Sequence, residues 1–219
     1  MQDKIFIIIP AYNEAQRIEG VLTEAKKYYP NIIVVDDGSQ DDTFKVAKKS
    51  GVITLQHRVN LGKGAAMTTG VEAALRLRAG ILVFMDADGQ HRTEDIPRLV
   101  KAIQNGYDFV VGIRNLNHKM PFSMLLGNKI FSGLIRYFYN FNLPDTQCGF
   151  RGLRAVVYPR IQWRSQGYEV ETEMLLNALQ LHLRCAAIPI QTIYYDRYKG
   201  TTIVDGFKIL AKIIERRIF

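Results

Sequence analysis

The chain has 219 residues, 47% of them hydrophobic, with 29 Lys and Arg against 21 Asp and Glu for a formal net charge of +8. That apolar content excludes a disordered chain and suits one α/β domain, so residues 1–219 are read as a single unit. The basic balance favours an anionic partner, whether nucleic acid, an acidic membrane surface or a phosphorylated small molecule, without choosing among them.

The opening run MQDKIFIIIP is too short in its apolar part for a secretory leader, and Pro10 ends it. It predicts a strand over Lys4–Ile9, followed by strands at Ile32–Val35, Val52–Gln56, Ile81–Met85 and Phe109–Gly112. Helical patterns lie between them at Arg17–Tyr28, Asp42–Ser50, Gly64–Leu77 and Thr93–Asn105. Short β-branched runs alternating with such helices mean βαβ units, hence a mostly parallel, Rossmann-like sheet flanked by helices. Ligands of such sheets sit beyond the carboxyl ends of the strands, so polar clusters following the strands face one crevice.

The second half reads differently. Met120–Phe141 is helical in period, with Leu126, Ile130, Phe131, Leu134, Ile135 and Phe138 on one face. A turn-like DTQCGFRG follows, then a helix near Thr172–Leu181 and a strand near Cys185–Tyr194. Residues 202–219 read as a last amphipathic helix, with Ile203, Phe207, Leu210, Ile214 and Ile218 at helical spacing and Lys208, Lys212, Glu215, Arg216 and Arg217 mainly on the other side. Such a helix either packs on the domain or lies in a lipid headgroup layer, and residues 120–141 offer a second surface of that kind. Lys129 and Arg136 interrupt the most apolar window, so no span of a bilayer is expected and any membrane contact is peripheral. Cys148 and Cys185 have neither metal-ligand spacing nor a disulfide framework, which points to a reducing, cytoplasmic compartment.

Four polar clusters end or follow predicted strands: Pro10-Ala-Tyr-Asn-Glu14, Asp36-Asp-Gly-Ser39, Asp86-Ala-Asp88 with Gln90, and Gly112-Ile-Arg114. The third is the most informative. A buried strand that stops at Asp-x-Asp brings two carboxylates to the sheet edge, where they can hold Mg²⁺ or Mn²⁺ against a substrate phosphate. Each cluster alone has an ordinary reading, since Asp and Gly are turn residues and Asp36–Asp41 would serve as a turn and helix N-cap. Their convergence on one edge is what asks for chemistry.

The ordered set IPAYNE, VVDDGSQDDT, NLGKGAA, FMDADGQH, VVGIR and DTQCGFRG resembles family 2 glycosyltransferases of the GT-A fold. Within that family it is most similar to the branch of dolichol-phosphate mannosyltransferase and related polyprenyl-phosphate sugar transferases. The resemblance implies that Pro10, Tyr12 and Glu14 line a nucleotide pocket and that Asp36 and Asp37 meet base and ribose. It implies that Asp86, Ala87 and Asp88 meet the donor, with Asp86, Asp88 and Gln90 at the metal, and that Lys63 sits near the nucleotide. By itself Lys63 also reads as a solvated lysine at a helix start.

The implied reaction moves a hexose from a GDP- or UDP-sugar to a dolichyl or undecaprenyl phosphate, with inversion. The departing diphosphate gains charge that a divalent ion neutralises. A sugar hydroxyl acceptor needs a general base, whereas a phosphate is already anionic and needs cations to hold it. Arg114, Arg151, Arg197 and Lys199 fit that need, though each arginine equally suits a structural ion pair. Arg197 and Lys199 lie in a loop with Gly200 that could close over the donor. Glu171 and Glu173 match an E-x-E of this branch that organises the site; as bare sequence they are acids at a helix N-terminus. The stretch PFSMLLGNKIF, with Ser123, Asn128 and Lys129, departs from the mannosyltransferase pattern and leaves acceptor details and sugar open.

Two rivals remain. A transferase acting on a saccharide hydroxyl would use Glu171 or Glu173 as base. A nucleic-acid-binding module is suggested only by charge, and acids crowding the crevice argue against that partner. The sequence is compatible with a homo-oligomer.

Overall fold

The computed structural model describes residues 3–114 and 122–193. The expected flap carrying Arg197 and Lys199 and the helix over 202–219 lie outside the described residues.

Seven strands form one sheet: β1 (Ile5–Ala11), β2 (Ile32–Asp36), β3 (Ile53–Gln56), β4 (Ile81–Phe84), β5 (Phe109–Arg114), β6 (Arg151–Arg154) and β7 (Cys185–Ile190). Their spatial order is β3-β2-β1-β4-β6-β5-β7, parallel except for β6, which runs antiparallel to both neighbours. The helices are α1 (Ile18–Lys26), α2 (Thr43–Lys49), α3 (Lys63–Arg76), α4 (Ile96–Gln104), α5 (Phe122–Tyr139), α6 (Tyr158–Ile161) and α7 (Val170–Gln180).

Strand alternation decides the layers. In β1, Phe6 and Ile8 point to one face and Ile5, Ile7 and Ile9 to the other, and all are buried. The first face packs with Leu82, Phe84 and Phe109 against α3, α5, α6 and α7. The second packs with Val34, Ile81 and Val83 against α1, α2 and α4, the last contributing Leu99, Val100 and Ile103. A sheet covered on both faces needs strands that are apolar throughout, which is why they read as continuous runs rather than alternations.

Three expectations change. DTQCGFRG has the composition of a turn, yet its last residues begin β6, inserted inside the sheet between β4 and β5. The sequence Arg-Gly-Leu-Arg has little strand propensity; its neighbours impose the conformation, with Gly152 opposite both Val83 and Val110. The last described strand stops at Ile190 rather than near Tyr194, leaving an isolated bridge between Thr192 and His91. Along α5, Phe131 and Ile135 are buried as expected, but Ile130 turns outward at 49% exposure.

The topology brings the carboxyl ends of β1, β2, β4 and β5 to one edge. Because β6 is reversed, its first residue, Arg151, joins them there opposite Phe84.

Candidate active site

Asp86 lies two residues past the end of β4, at the centre of the edge. Its Oδ1 is 2.5 Å from Lys63 Nζ, which is also 2.6 Å from Glu171 Oε1. Lys63 opens α3 and Glu171 stands in the first turn of α7, so the ammonium ties a strand end to two helix starts. The Tyr168 ring faces the same ammonium at 5.8 Å. A Cβ at Gly149 would come within 2.5 Å of Asp86 Oδ2, so a side chain there would displace the carboxylate.

Electrostatics separate the two acids of the Asp-x-Asp. Burial alone would raise Asp86, but Lys63, His91 and Arg114 outweigh it and hold the carboxyl down to about 2. Asp88 is raised to about 6, first by burial and then by the charge of Asp86. Burial would lower Lys63, yet Asp86 and Glu171 overcome it and hold the ammonium well above the usual lysine range. Two oxygen-donor acids one residue apart, near enough for the charge of one to raise the other, suit a hard divalent ion that completes its shell with phosphate oxygens and water. No group of three or more His, Cys, Asp or Glu side chains is preassembled among the described residues. The donor set therefore fits a metal shared with a ligand rather than an all-protein cage. Gln90 is buried beside this pair; its N–H donates to Asp88 Oδ1 at 2.9 Å and its carbonyl accepts from the Ile193 N–H. Ala87, between the acids, is buried.

His91 is a neighbour. Its Nδ1 accepts from the Asp86 N–H at 3.4 Å and its ring stacks on Phe150 with centroids 5.0 Å apart. Burial lowers it to about 4, which keeps the ring neutral near pH 7.

The glutamates of the E-x-E have different surroundings. Glu171 Oε1 takes the Lys63 ammonium, and its buried Oε2 has no hydrogen-bond partner among the described residues. Glu173 is fully buried; its Oε2 accepts from the Arg164 and Ser165 N–H groups at 3.1 and 2.8 Å and from Ser165 Oγ at 2.5 Å.

The arginines face inward. Arg114 Nε and Nη2 donate to Asp145 at 2.7 and 3.0 Å, and Asp145 is wholly buried. Arg151 has no exposed surface: it donates to the carbonyls of Cys148 at 2.8 Å and Thr146 at 2.8 Å, and to that of Glu171. Its guanidinium thus ties the loop before β6 to the first turn of α7 and does not reach the crevice.

The other end of the edge is a pocket of about 240 Å³ lined by Gly38, Ser39, Gln56, His57 and Arg58. Asp36 and Asp37 build it from behind. Asp36 accepts from the Ser39 N–H and from Gln56 Nε2, and Asp37 accepts from the Leu61 and Gly62 N–H groups and contacts His57 Nδ1 at 2.7 Å. Glu14 is buried and ion-paired to Arg17 at 3.2 Å, near enough to Asp88 to help raise it. Pro10 lies in β1 opposite Val35, and Tyr12 is 41% exposed at the strand's mouth.

Sequence reading passed over His57, Asp145 and Ser165. His57 stood without a motif partner because Asp37 lies twenty positions upstream, and Ser165 carried no signal. Asp145 opened the recognised DTQCGFRG, and a buried arginine partner was the reading to take from it.

The glycosyl transferase family 2 model matches residues 6–161. The UDP-N-acetylglucosamine–dolichyl-phosphate N-acetylglucosaminyltransferase of Methanococcus voltae is 36% identical, over 98% of this chain and 96% of that protein. The polyprenol monophosphomannose synthase of Mycolicibacterium smegmatis is 28% identical, over 94% and 83%. Among solved structures, glucosyl-3-phosphoglycerate synthase of Mycobacterium tuberculosis, in complex with Mn²⁺, uridine diphosphate and glucosyl-3-phosphoglycerate, superposes with a TM-score of 0.80 at 20% identity, covering 99% of this chain and 81% of that one.

Proposed function

Because the chain belongs to glycosyl transferase family 2 and is a glycosyltransferase of GT-A fold, we propose that it transfers a hexose from a GDP- or UDP-sugar to a polyprenyl phosphate with inversion. The observation that carries this reading is the cluster of Asp86, Asp88, Lys63 and Glu171 at the carboxyl edge of the sheet. In the proposed reaction an acceptor phosphate oxygen attacks the anomeric carbon as the bond from that carbon to the diphosphate oxygen breaks. The nucleoside diphosphate leaves with the bonding pair.

Asp86 and Asp88, with Gln90 beside them, would hold Mg²⁺ or Mn²⁺, which supplies Lewis-acid neutralisation of the departing diphosphate. Lys63 adds a fixed positive charge at the same place. The pocket by Gly38 and His57 takes the nucleoside, its shape set by Asp36 and Asp37 and its approach flanked by Pro10, Tyr12 and Glu14. Arg114, near enough to Asp86 to hold its pKa down, lies on the acceptor side, a role the sequence also suits to Arg197 and Lys199, which lie outside the described residues. Arg151 braces the loop behind Arg114 from within.

The state of the glutamates favours a phosphate acceptor over a hydroxyl one. A hydroxyl requires a base within reach of its proton. Glu173 is enclosed and accepts three hydrogen bonds, and Glu171 is tied to an ammonium. A phosphate arrives already ionised and asks neither to act. A lipid acceptor would put the enzyme at a membrane surface, and the cytoplasmic face is the one this reading proposes; no helix among the described residues is long and apolar enough to cross a membrane.

The test is direct. Thermal shift with UDP and GDP, each with and without Mn²⁺, should show metal-dependent stabilisation by one of them. Incubation of radiolabelled UDP-N-acetylglucosamine, UDP-glucose or GDP-mannose with a polyprenyl phosphate should yield an organic-extractable labelled lipid from the matching donor. Absence of labelled lipid with every donor, alongside transfer to a free sugar, would replace this reading with the hydroxyl-acceptor one.

A further inference from the structure

Lys63 stands between two glycines, and both are pressed against a segment from the other half of the chain. Gly64 N–H donates to the Gln166 carbonyl at 2.6 Å, and Trp163 Nε1 donates to the Gly64 carbonyl at 3.0 Å. A Cβ on Gly62 would overlap the Gln166 carbonyl and one on Gly64 the Ser165 carbonyl; Gly62 also has φ of +95°. The backbone on both sides of Lys63 is therefore set by residues 163–166. That segment is held by Glu173, whose Oε2 gathers the Arg164 and Ser165 N–H groups and the Ser165 hydroxyl. A buried carboxylate with three converging donors is a strong fixed point, because each bond is charge-assisted.

We infer that Glu173 is a positioning residue for Lys63, acting through the 164–166 backbone so that the ammonium spans Asp86 and Glu171. One turn of α7 would then control Lys63 twice, its head through Glu171 and its backbone through Glu173. Two residues apart on a helix, the glutamates point in different directions, which lets one face the ammonium and the other the loop. The consequence for catalysis rests on the proposed reading of the crevice as the donor site; the consequence for Lys63 itself does not.

Two readouts keep these apart. The first is the rate at which a small acylating reagent modifies Lys63, followed by mass spectrometry with Lys26 as internal reference. Glu173→Ala should raise the Lys63 rate about tenfold relative to Lys26, as the three bonds that fix residues 164–165 are lost. Glu173→Gln should stay within about threefold of the parent, because the amide oxygen still presents its two lone pairs to the Arg164 and Ser165 donors. The second is a double-mutant cycle on kcat with Lys63→Met. Glu173→Ala should cost about 100-fold alone and little more in the Lys63→Met background, since residues acting as a unit are non-additive.

Unchanged Lys63 labelling in Glu173→Ala, additive losses in the cycle, or a Glu173→Gln variant as impaired as Glu173→Ala would each overturn the assignment. If Glu173→Ala loosens the whole chain, so that Lys26 and Lys63 accelerate together, Ser165→Ala decides. That variant removes a single bond, and a rise confined to Lys63 supports the inference while no rise overturns it. Failure of every donor to react would count against the proposed function and leave the labelling result standing.

Discussion

Asp86 and Asp88 are one residue apart and should behave oppositely when neutralised. Asp88 is raised to about 6 against 3.8 for a free aspartate, so the native chain holds that proton more tightly than the unfolded one. In metal-free buffer its contribution to stability is greatest below pH 4 and declines as pH rises through 6. Asp88→Asn should therefore raise Tm at pH 7 in EDTA, by about 2–4 °C for each kcal/mol of relieved strain. Asp86 is held down to about 2, chiefly by Lys63 working against burial. Its contribution is full above 3.8 and is lost as pH falls toward 2, so Asp86→Asn should lower Tm at pH 7 by leaving the Lys63 ammonium with less compensation. Both variants should lose transfer activity by about 100-fold or more, the scale of a Lewis-acid contribution of several kcal/mol. Equal Tm shifts of the same sign would show that the pair is not polarised as described. The Asp-x-Asp was legible because an apolar run ends on it. Its partners were less so, since nothing in a linear reading sets Lys63 against Glu171, 108 positions later.

At the scale of elements, β6 is where sequence and structure diverge, and Arg151 shows why. DTQCGFRG looks like a turn because Asp, Gly and Arg dominate it, and strand propensity gives way to context at the centre of a sheet. The helices were legible from their period, and most of the parallel strands from apolar runs between turn residues. An antiparallel insertion with arginines at both ends had no local pattern to reveal it. The arginine expected at the acceptor instead joins β6 to the preceding loop and to α7 through three carbonyls. Arg151→Lys keeps the charge but cannot reach all three. It should destabilise the chain by about 3 kcal/mol, the scale of breaking a buried charged network. A melt should therefore fall by about 6–12 °C. Raised acceptor KM at unchanged Tm would return Arg151 to the acceptor phosphate. Asn128 offers a parallel case on α5: buried, it donates to the Pro144 carbonyl at 3.0 Å and accepts from the Thr146 N–H at 3.1 Å. Asn128→Ala should release that helix, seen as faster amide exchange along α5, and lower stability by about 2 kcal/mol.

Taken whole, the molecule carries its net charge of +8 unevenly. Residues 109–144 contain no Asp or Glu, while Arg114, Lys119, Lys129 and Arg136 fall among them. Where α5 is described, its outer stripe presents Lys129, Ile130, Arg136 and Tyr137, with Ile130 49% and Tyr137 82% exposed. An exposed tyrosine and isoleucine between cations is the composition of a helix that rests in a headgroup layer, apolar groups inserted and charges on the lipid phosphates. The proposed polyprenyl phosphate acceptor would give such a surface its purpose, because its phosphate would have to reach the donor sugar in the crevice while its tail stays in the bilayer. The protein should co-float with vesicles containing anionic lipid and be released by salt, since surface attraction is screened within a Debye length. Each basic residue at such a surface is worth about 1 kcal/mol. Lys129→Gln with Arg136→Gln should then weaken vesicle binding by about 30-fold, and Tyr137→Ala should weaken it further. Turnover of a detergent-dispersed or short-chain acceptor should change little in these variants, because none touches the crevice. Undiminished flotation of the triple variant, or equal binding to neutral vesicles, would move the membrane contact off α5 and onto another part of the chain.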